Sequence, residues 1–267
     1  MTVAGRLEKR LLNDMGRAIH DWDLIAPGDR IMVAVSGGKD SLSLLQLLLK
    51  LQERAPVHFS LVAVNVDQGQ PGFPARVLED HFLALGVEHR ILRQDTYSIA
   101  LRLTEPGKTY CSVCSRLRRG ILYTSAVEMG CTKIALGHHR EDLIETLLLS
   151  AFFAGALKSM PPRLVSDDGR NTVIRPLAYC QEAELAAYAA ELKLPIIPCG
   201  LCAQQENAQR QRVKKLIAEL AKEHPAVPGN LLNSLQNVVP SHLLDPTVSK
   251  EGEEPAVKPS GARTSTD

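Results

Sequence analysis

The sequence predicts an α/β protein: a doubly wound, mostly parallel sheet of about five strands, with helical segments at both ends. Three observations carry this expectation. Short apolar runs alternate with helix-periodic segments along most of the chain. A Gly-Gly loop joins the first such run to the first long Leu-rich segment. The composition, 45% hydrophobic and 23% charged over 267 residues, is that of an ordinary soluble domain. It excludes a coiled coil, a collagen-like chain and a wholly disordered one.

The elements follow in order. Leu11, Leu12, Met15 and Ile19 recur at three- and four-residue spacing and predict a helix from Leu7 to Asp23, closed by Pro27-Gly28-Asp29. Arg30–Val35 reads as a buried strand, Ser36–Ser41 as a tight loop, and Leu42–Leu51 as a helix. Phe59–Val66 and Val87–Leu92 are the next strands, with a helix at 75–85 between them. After a less regular stretch, Ser115–Met129 predicts a helix, Lys133–Leu136 a strand, and Arg140–Phe153 a helix starting directly after Gly137-His138-His139. Thr172–Arg175 is the fifth strand; helices follow at Glu182–Leu192, Ala208–Glu223 and Gly229–Val238. Three segments result: a helical one at 1–28, the main domain at 29–245, and a tail at 246–267 whose Pro, Ser, Thr, Gly, Glu and Lys bury almost nothing.

Thirty-one Lys and Arg against 30 Asp and Glu leave a formal charge of +1. Partners must therefore be sought in local clusters rather than in the global field. The longest apolar runs are far shorter than the roughly 20 residues of a membrane span. The N-terminus shows no uninterrupted apolar stretch of the signal-peptide kind, so the expectation is a cytoplasmic protein with reduced thiols and no membrane partner.

Ser36-Gly37-Gly38-Lys39-Asp40-Ser41 is the sharpest local signal. Glycines let the backbone turn tightly and approach a ligand, and the next helix presents free N–H groups to an anion. Lys39 adds charge; Ser36 and Ser41 add hydroxyls. The spacing matches neither a Walker A loop nor a dinucleotide fingerprint. It resembles the PP-loop of the N-type ATP pyrophosphatases, which implies that this loop holds the phosphates of ATP.

Four of the six cysteines form two C-x-x-C pairs, Cys111/Cys114 and Cys199/Cys202. Spacing alone leaves three readings open: a zinc site with four thiolates, an iron–sulfur cluster, or a redox pair that shuttles persulfide sulfur. Cys131 and Cys180 read as small buried hydrophobes. Arg116, Arg118 and Arg119 follow the first pair and could meet phosphates of ATP or a polynucleotide. Arg210, Arg212, Lys214 and Lys215 follow the second, and Lys214 and Lys215 read as a solvated helix face. Glu141 and Asp142 fall in the first turn of a helix, where acids complement the dipole. They could also face a nucleotide, directly or through Mg²⁺, whose hard ligands are carboxylates and phosphates.

Taken together, Ser36–Ser41, Cys111-Ser112-x-Cys114-Ser115-Arg116-Leu117-Arg118-Arg119-Gly120, Gly137-His138-His139-Arg140-x-Asp142, Pro198-Cys199-x-Leu201-Cys202 and Gln236-Asn237-Val238-Val239-Pro240-Ser241-His242 resemble the tRNA-cytidine(32) 2-sulfurtransferase family over Leu7 to Leu244. The resemblance implies an adenine nucleotide alpha hydrolase-like fold and ATP-dependent 2-thiolation of a cytidine in the tRNA anticodon loop. It implies a [4Fe–4S] cluster held by Cys111, Cys114 and Cys202, with Cys199 outside the ligand set. It further implies Mg²⁺, catalytic roles for Asp40, Arg118 and Asp142, and a cysteine desulfurase as the sulfur source; a homodimer is compatible with it. Where the family often carries two aspartates after His-His-Arg, this chain has Glu141 and Asp142. Another PP-loop pyrophosphatase, such as a lysidine synthetase or an amidotransferase-linked synthetase, would not need the cysteine pairs. A zinc-stabilised RNA-binding protein would leave Ser36–Ser41 unexplained.

Overall fold

The computed structural model describes residues 3–105, 111–197 and 208–244. Strands β1 (Arg30–Ala34), β2 (Ser60–Asp67), β3 (Glu88–Arg93), β4 (Lys133–Ala135), β5 (Arg163–Val165) and β6 (Thr172–Ile174) form one sheet in the order β3-β2-β1-β4-β6-β5. All neighbours are parallel except β5, which pairs antiparallel with β6.

Side-chain alternation along the strands feeds two cores. Ile31, Val33, Val35, Leu61 and Ala63 pack on one face with α1 (Val3–Asp21), α2 (Lys39–Gln52), α3 (Ala75–Ala84) and α7 (Glu182–Glu191), through Leu11, Leu45, Phe82 and Leu185 among others. Met32, Val62, Val64, Val66 and Ile134 pack on the other face against Leu122 and Ala126 of α5 (Cys111–Glu128). The sheet is thus doubly wound, as the apolar runs predict, because strands covered on both faces need no polar alternation. A third cluster joins Ile144 of α6 (Arg140–Ala154) to Val213 and Ile217 of α8 (Ala208–Glu223), with Leu231 and Leu232 of α9 (Val227–Ser234) beside it.

The structure departs from the sequence expectation in four places. The sheet has a sixth strand, β5; all three of its residues are exposed, so it carries no burial signal. Helix α4 (Thr96–Leu103) fills the stretch read as irregular, started by Asp95, whose carboxylate accepts from Ser98 N at 3.0 Å. Helix α5 begins at Cys111, so the first C-x-x-C lies inside its first turn rather than before it. Helix α9 begins earlier and ends at Ser234, before the Gln236–His242 motif. The tail 246–267 lies outside the described residues. No described helix is long and apolar enough to cross a membrane.

In parallel sheets of this kind, ligands bind outside the carboxyl ends of strands where the order reverses. Here β1 runs on to β2 on one side and pairs with β4 on the other. The crevice therefore lies between the loop after β1 and the loop after β4.

Candidate active site

The loop after β1 is Ser36–Gly38, leading into α2 at Lys39. Gly37 has φ +91, a left-handed conformation that suits glycine, and its carbonyl accepts from Ile197 N at 3.0 Å. Ser41 Oγ accepts from Ser36 N at 3.1 Å and donates to the Gly38 carbonyl at 3.0 Å, which closes the loop on itself. Gly38 stands at the N-cap of α2 with no capping side chain. First-turn amides without a side-chain acceptor form an anion site.

Lys39 Nζ donates to both oxygens of Asp40, at 2.9 and 3.0 Å, and to Glu182 Oε1 at 3.2 Å. Burial opposes its charge, but Asp40 and Glu182 outweigh it and raise its pKa. Glu182 also accepts from Lys214 of α8 at 2.8 and 3.0 Å. Burial works against its carboxylate, and Lys214 and Lys39 more than compensate, so its pKa is lowered. Lys214 is half-exposed, yet it meets the same carboxylate as the loop lysine; the solvated-face reading holds for Lys215 and not for Lys214.

The loop after β4 supplies Gly137, His138 and His139. His139 caps α6, and its N–H donates to Asp142 Oδ2 at 3.1 Å. Its buried ring lies 3.3 Å from Glu141, 3.5 Å from Asp142 and 3.9 Å from Asp40. Burial disfavours the imidazolium, but Glu141, Asp142 and Asp40 together raise its pKa. Glu141 is pulled to about 2: burial would raise it, while His139, Arg140 and the Glu182 N–H at 2.8 Å lower it. Arg210 of α8 donates to Asp142 and Glu145, each at 3.1 Å. Asp142 is thus both a capping acid and part of a charged chain leading to Asp40. His138 behaves oppositely to its neighbour, with burial foremost in lowering its pKa to about 4.

Cys114 is buried in the first turn of α5, and its Sγ donates to Gln68 Oε1 at 2.9 Å. Gln68 directly follows β2, so Cys114 lies at the carboxyl edge of the sheet, along from the loop. Cys111 stands one helical turn earlier; its side chain lies outside the described ones. Cys199 and Cys202 fall in 198–207, outside the described residues. The described residues on both sides of that segment meet the site: Ile197 bonds to Gly37, and Arg210 bonds to Asp142. Among the described residues no three His, Cys, Asp or Glu side chains group as a metal site. Cys180 is buried, with its thiol pushed up by burial, and Cys131 is half-buried and likewise pushed up, as small apolar residues would be.

Arg116, Arg118 and Arg119 are exposed on α5. No hydrogen bond or ion pair among the described residues ties Arg118 to the loop. The sequence reading missed Glu182, Arg175 and Gln68. Each is a single polar residue just past a strand or opening a helix, and only position at a strand's carboxyl end could have flagged Arg175 and Gln68.

Fold and site together define a protein of the PP-loop class, and the PP-loop domain family matches residues 7–218. Within that class the chain belongs to the tRNA-cytidine(32) 2-sulfurtransferase family. A member from Anaeromyxobacter dehalogenans (strain 2CP-C) is 66% identical over 240 residues, covering 90% of this chain and 83% of that protein. One from Paracidovorax citrulli is 57% identical over 245 residues, covering 92% and 79%. Among solved structures, the U34-tRNA thiolase NcsA from Methanococcus maripaludis with its [4Fe-4S] cluster superposes with a TM-score of 0.67 at 22% identity. It covers 87% of this chain and 81% of that one, a likeness of fold.

Proposed function

We propose that this chain catalyses ATP-dependent 2-thiolation of cytidine 32 in the tRNA anticodon loop. The observation that carries the reading is convergence. The anion-binding loop, the Asp40–His139–Asp142 chain, Cys114 and both flanks of the segment bearing Cys199 and Cys202 meet at one edge of the sheet. Relatives named for this activity, one of them 66% identical, support it.

The loop amides and Lys39 hold the phosphates of ATP and stabilise the charge that builds on them. Arrival of the phosphates draws Lys39 from Asp40 and Glu182. Mg²⁺ suits the phosphate oxygens together with the Asp40 carboxylate. The cytidine O2 bonds to the α-phosphorus and pyrophosphate departs; sulfur then adds at C2 and AMP leaves with the former O2. Asp142 keeps His139 oriented towards Asp40, and Arg118 supplies positive charge from α5. An anticodon-loop base is single-stranded and can be splayed into such a crevice, with the arginines of α5 meeting the backbone.

The donor set fits a [4Fe–4S] cluster. Cys111 and Cys114 are a helical turn apart, Cys114 is buried at the carboxyl edge of the sheet against Gln68, and thiolates are the soft ligands that such clusters take. Cys111, Cys114 and Cys202 would hold it, and with three protein thiolates the cluster would keep one iron able to bind sulfide. Sulfur would come from a cysteine desulfurase as persulfide sulfur, and a thiol acting as two-electron reductant would release it at the sulfide level that adds to C2. The test is anaerobic purification with iron, sulfide and zinc analysis, then assay of 2-thiocytidine in tRNA with and without ATP. Brown protein that thiolates only with ATP is expected; colourless zinc protein without ATP-dependent product would overturn the reading.

A further inference from the structure

We infer that Arg175 is a positioning residue that fixes His138 as its Nε2–H tautomer, and that His138 thereby donates a hydrogen bond to a substrate oxygen in the crevice. The inference deepens the proposed function and rests on it for the identity of that substrate.

Arg175 is the first residue after β6 and is only 7% exposed. Its Nε donates to His138 Nδ1 at 3.2 Å, and its Nη1 donates to the Pro161 carbonyl at 2.5 Å. Its backbone is held as well, with N donating to Pro162 O and the carbonyl accepting from Ala178 N. No carboxylate among the described residues forms an ion pair with it. A buried guanidinium fastened at two points, on a backbone fastened at two more, has little freedom to leave.

The chemistry of the pair decides the tautomer. A guanidinium Nε always carries its hydrogen, so the imidazole nitrogen facing it must be an acceptor. Nδ1 of His138 is therefore unprotonated, and the ring hydrogen sits on Nε2. No hydrogen bond to Nε2 is made among the described residues. The groups around the ring are Arg175 beyond β6, His139 at the cap of α6, Asp142 on α6, and Arg210 on α8. Three of these can be cations, and the burial of the ring acts with them against a second proton.

Position supplies the role. His138 lies between Gly137, which backs onto Ser41 of the loop, and His139, which faces Asp40. The ligand that binds this loop brings phosphoryl oxygens, and the base to be modified brings O2. Both are acceptors, and both want a donor that takes no proton from them as the pH falls. Burial keeps this imidazole neutral, and the Arg175 hydrogen bond to Nδ1 leaves Nε2–H as its one donor, which meets that need.

The test uses the full chain labelled with ¹⁵N-histidine, with the His138→Gln variant identifying the resonances. Expected at pH 7 is a protonated Nε2 and an unprotonated Nδ1 for His138, unchanged down to pH 5.5. In Arg175→Met the ring, still buried, should stay neutral but lose its single tautomer, with Nδ1–H now populated beside Nε2–H. An Nδ1–H tautomer or an imidazolium at pH 7 in the wild type would overturn the inference without recourse to any variant. Kinetics then test the donor. Gln can accept from Arg175 and donate onward, so His138→Gln should keep activity within about tenfold, while His138→Phe should lose about a hundredfold or more. A rise confined to the KM for ATP assigns the acceptor to the phosphates, and a rise confined to the KM for tRNA assigns it to the base. Equal activity of the Phe variant and wild type would sink the donor role. A wild type that makes no 2-thiocytidine would fail the parent reading instead, and the NMR result would still decide the tautomer.

Discussion

Gly137 is pressed against Ser41: a Cβ at position 137 would lie 2.9 Å from the Ser41 amide nitrogen and 3.0 Å from the Asp40 carbonyl carbon. The loop after β4 therefore sets where the first turn of α2, and with it the anion site, can sit. Its neighbours there are backbone atoms, which cannot rotate away as a side chain would. Gly137→Ala should fold with a stability loss of about 1–3 kcal/mol, and should weaken ATP binding about tenfold or more by displacing the first-turn amides. Calorimetric titration with ATP beside a thermal melt checks this; unchanged ATP affinity would show that the loop tolerates the shift.

On the proposed function Asp40 and the cysteines serve different steps, so their effects should separate. Asp40→Ala removes both hydrogen bonds from Lys39 and the carboxylate nearest His139 on α2, while Glu182 still holds the lysine. Its 2-thiocytidine formation should fall at least a hundredfold, on the scale of losing a principal charged group at a reacting centre. Iron content should stay at the wild-type level. Loss of iron in parallel with activity would tie Asp40 to the architecture of the cysteine site.

Serine substitution discriminates the metal readings. Cys111→Ser, Cys114→Ser and Cys202→Ser should each lose iron and thiolation together, whereas Cys199→Ser should keep the iron and part of the activity. A closed four-thiolate zinc site would need all four cysteines equally. Iron and zinc analysis and 2-thiocytidine on the same preparations decide between them.

The exposed arginines of α5 can neutralise the phosphates of a polyanion. Replacing Arg116 and Arg119 together with Ala should weaken tRNA binding and flatten its dependence on log salt by about two units, one for each phosphate left without its arginine. A titration series at several salt concentrations measures the slope; an unaltered slope would assign these arginines to the fold or to ATP.

Glu141 and His139 make stability depend on pH in opposite directions. The folded pKa of Glu141 is depressed from 4.5 to about 2, so its contribution is present above about 4.5 and fades as the pH falls towards 2. The folded pKa of His139 is raised above 6.5, so its contribution is complete below 6.5 and is lost as the pH rises through the folded value. The pair therefore stabilises most between these limits. Glu141→Gln should cost about 1–3 kcal/mol at pH 5.5, with the gap to wild type narrowing below pH 4. Melting profiles across that range test it, and a constant gap would mean that the carboxylate charge is irrelevant.

By itself the sequence determined the alternation of strands and helices and marked Ser36–Ser41 as a glycine loop between the first strand and the next helix. It also marked the cysteine pairs and the capping acids Glu141 and Asp142. Each is a local signal: strands buried on both faces read as apolar runs, Gly37 and Gly38 mark a turn, and acids at a helix start follow the dipole. Only the tertiary structure decided which charged groups meet. Lys39 finds Glu182 across 143 positions, Cys114 finds Gln68 across 46, and Arg175 finds His138 across 37. Parallel crossovers bring the carboxyl ends of distant strands to one edge, and a lone polar residue there has no periodicity to announce its partner. The edge strand β5 stayed hidden for a related reason: Arg163, Leu164 and Val165 are all exposed, and a strand that buries nothing leaves no hydrophobic pattern to read.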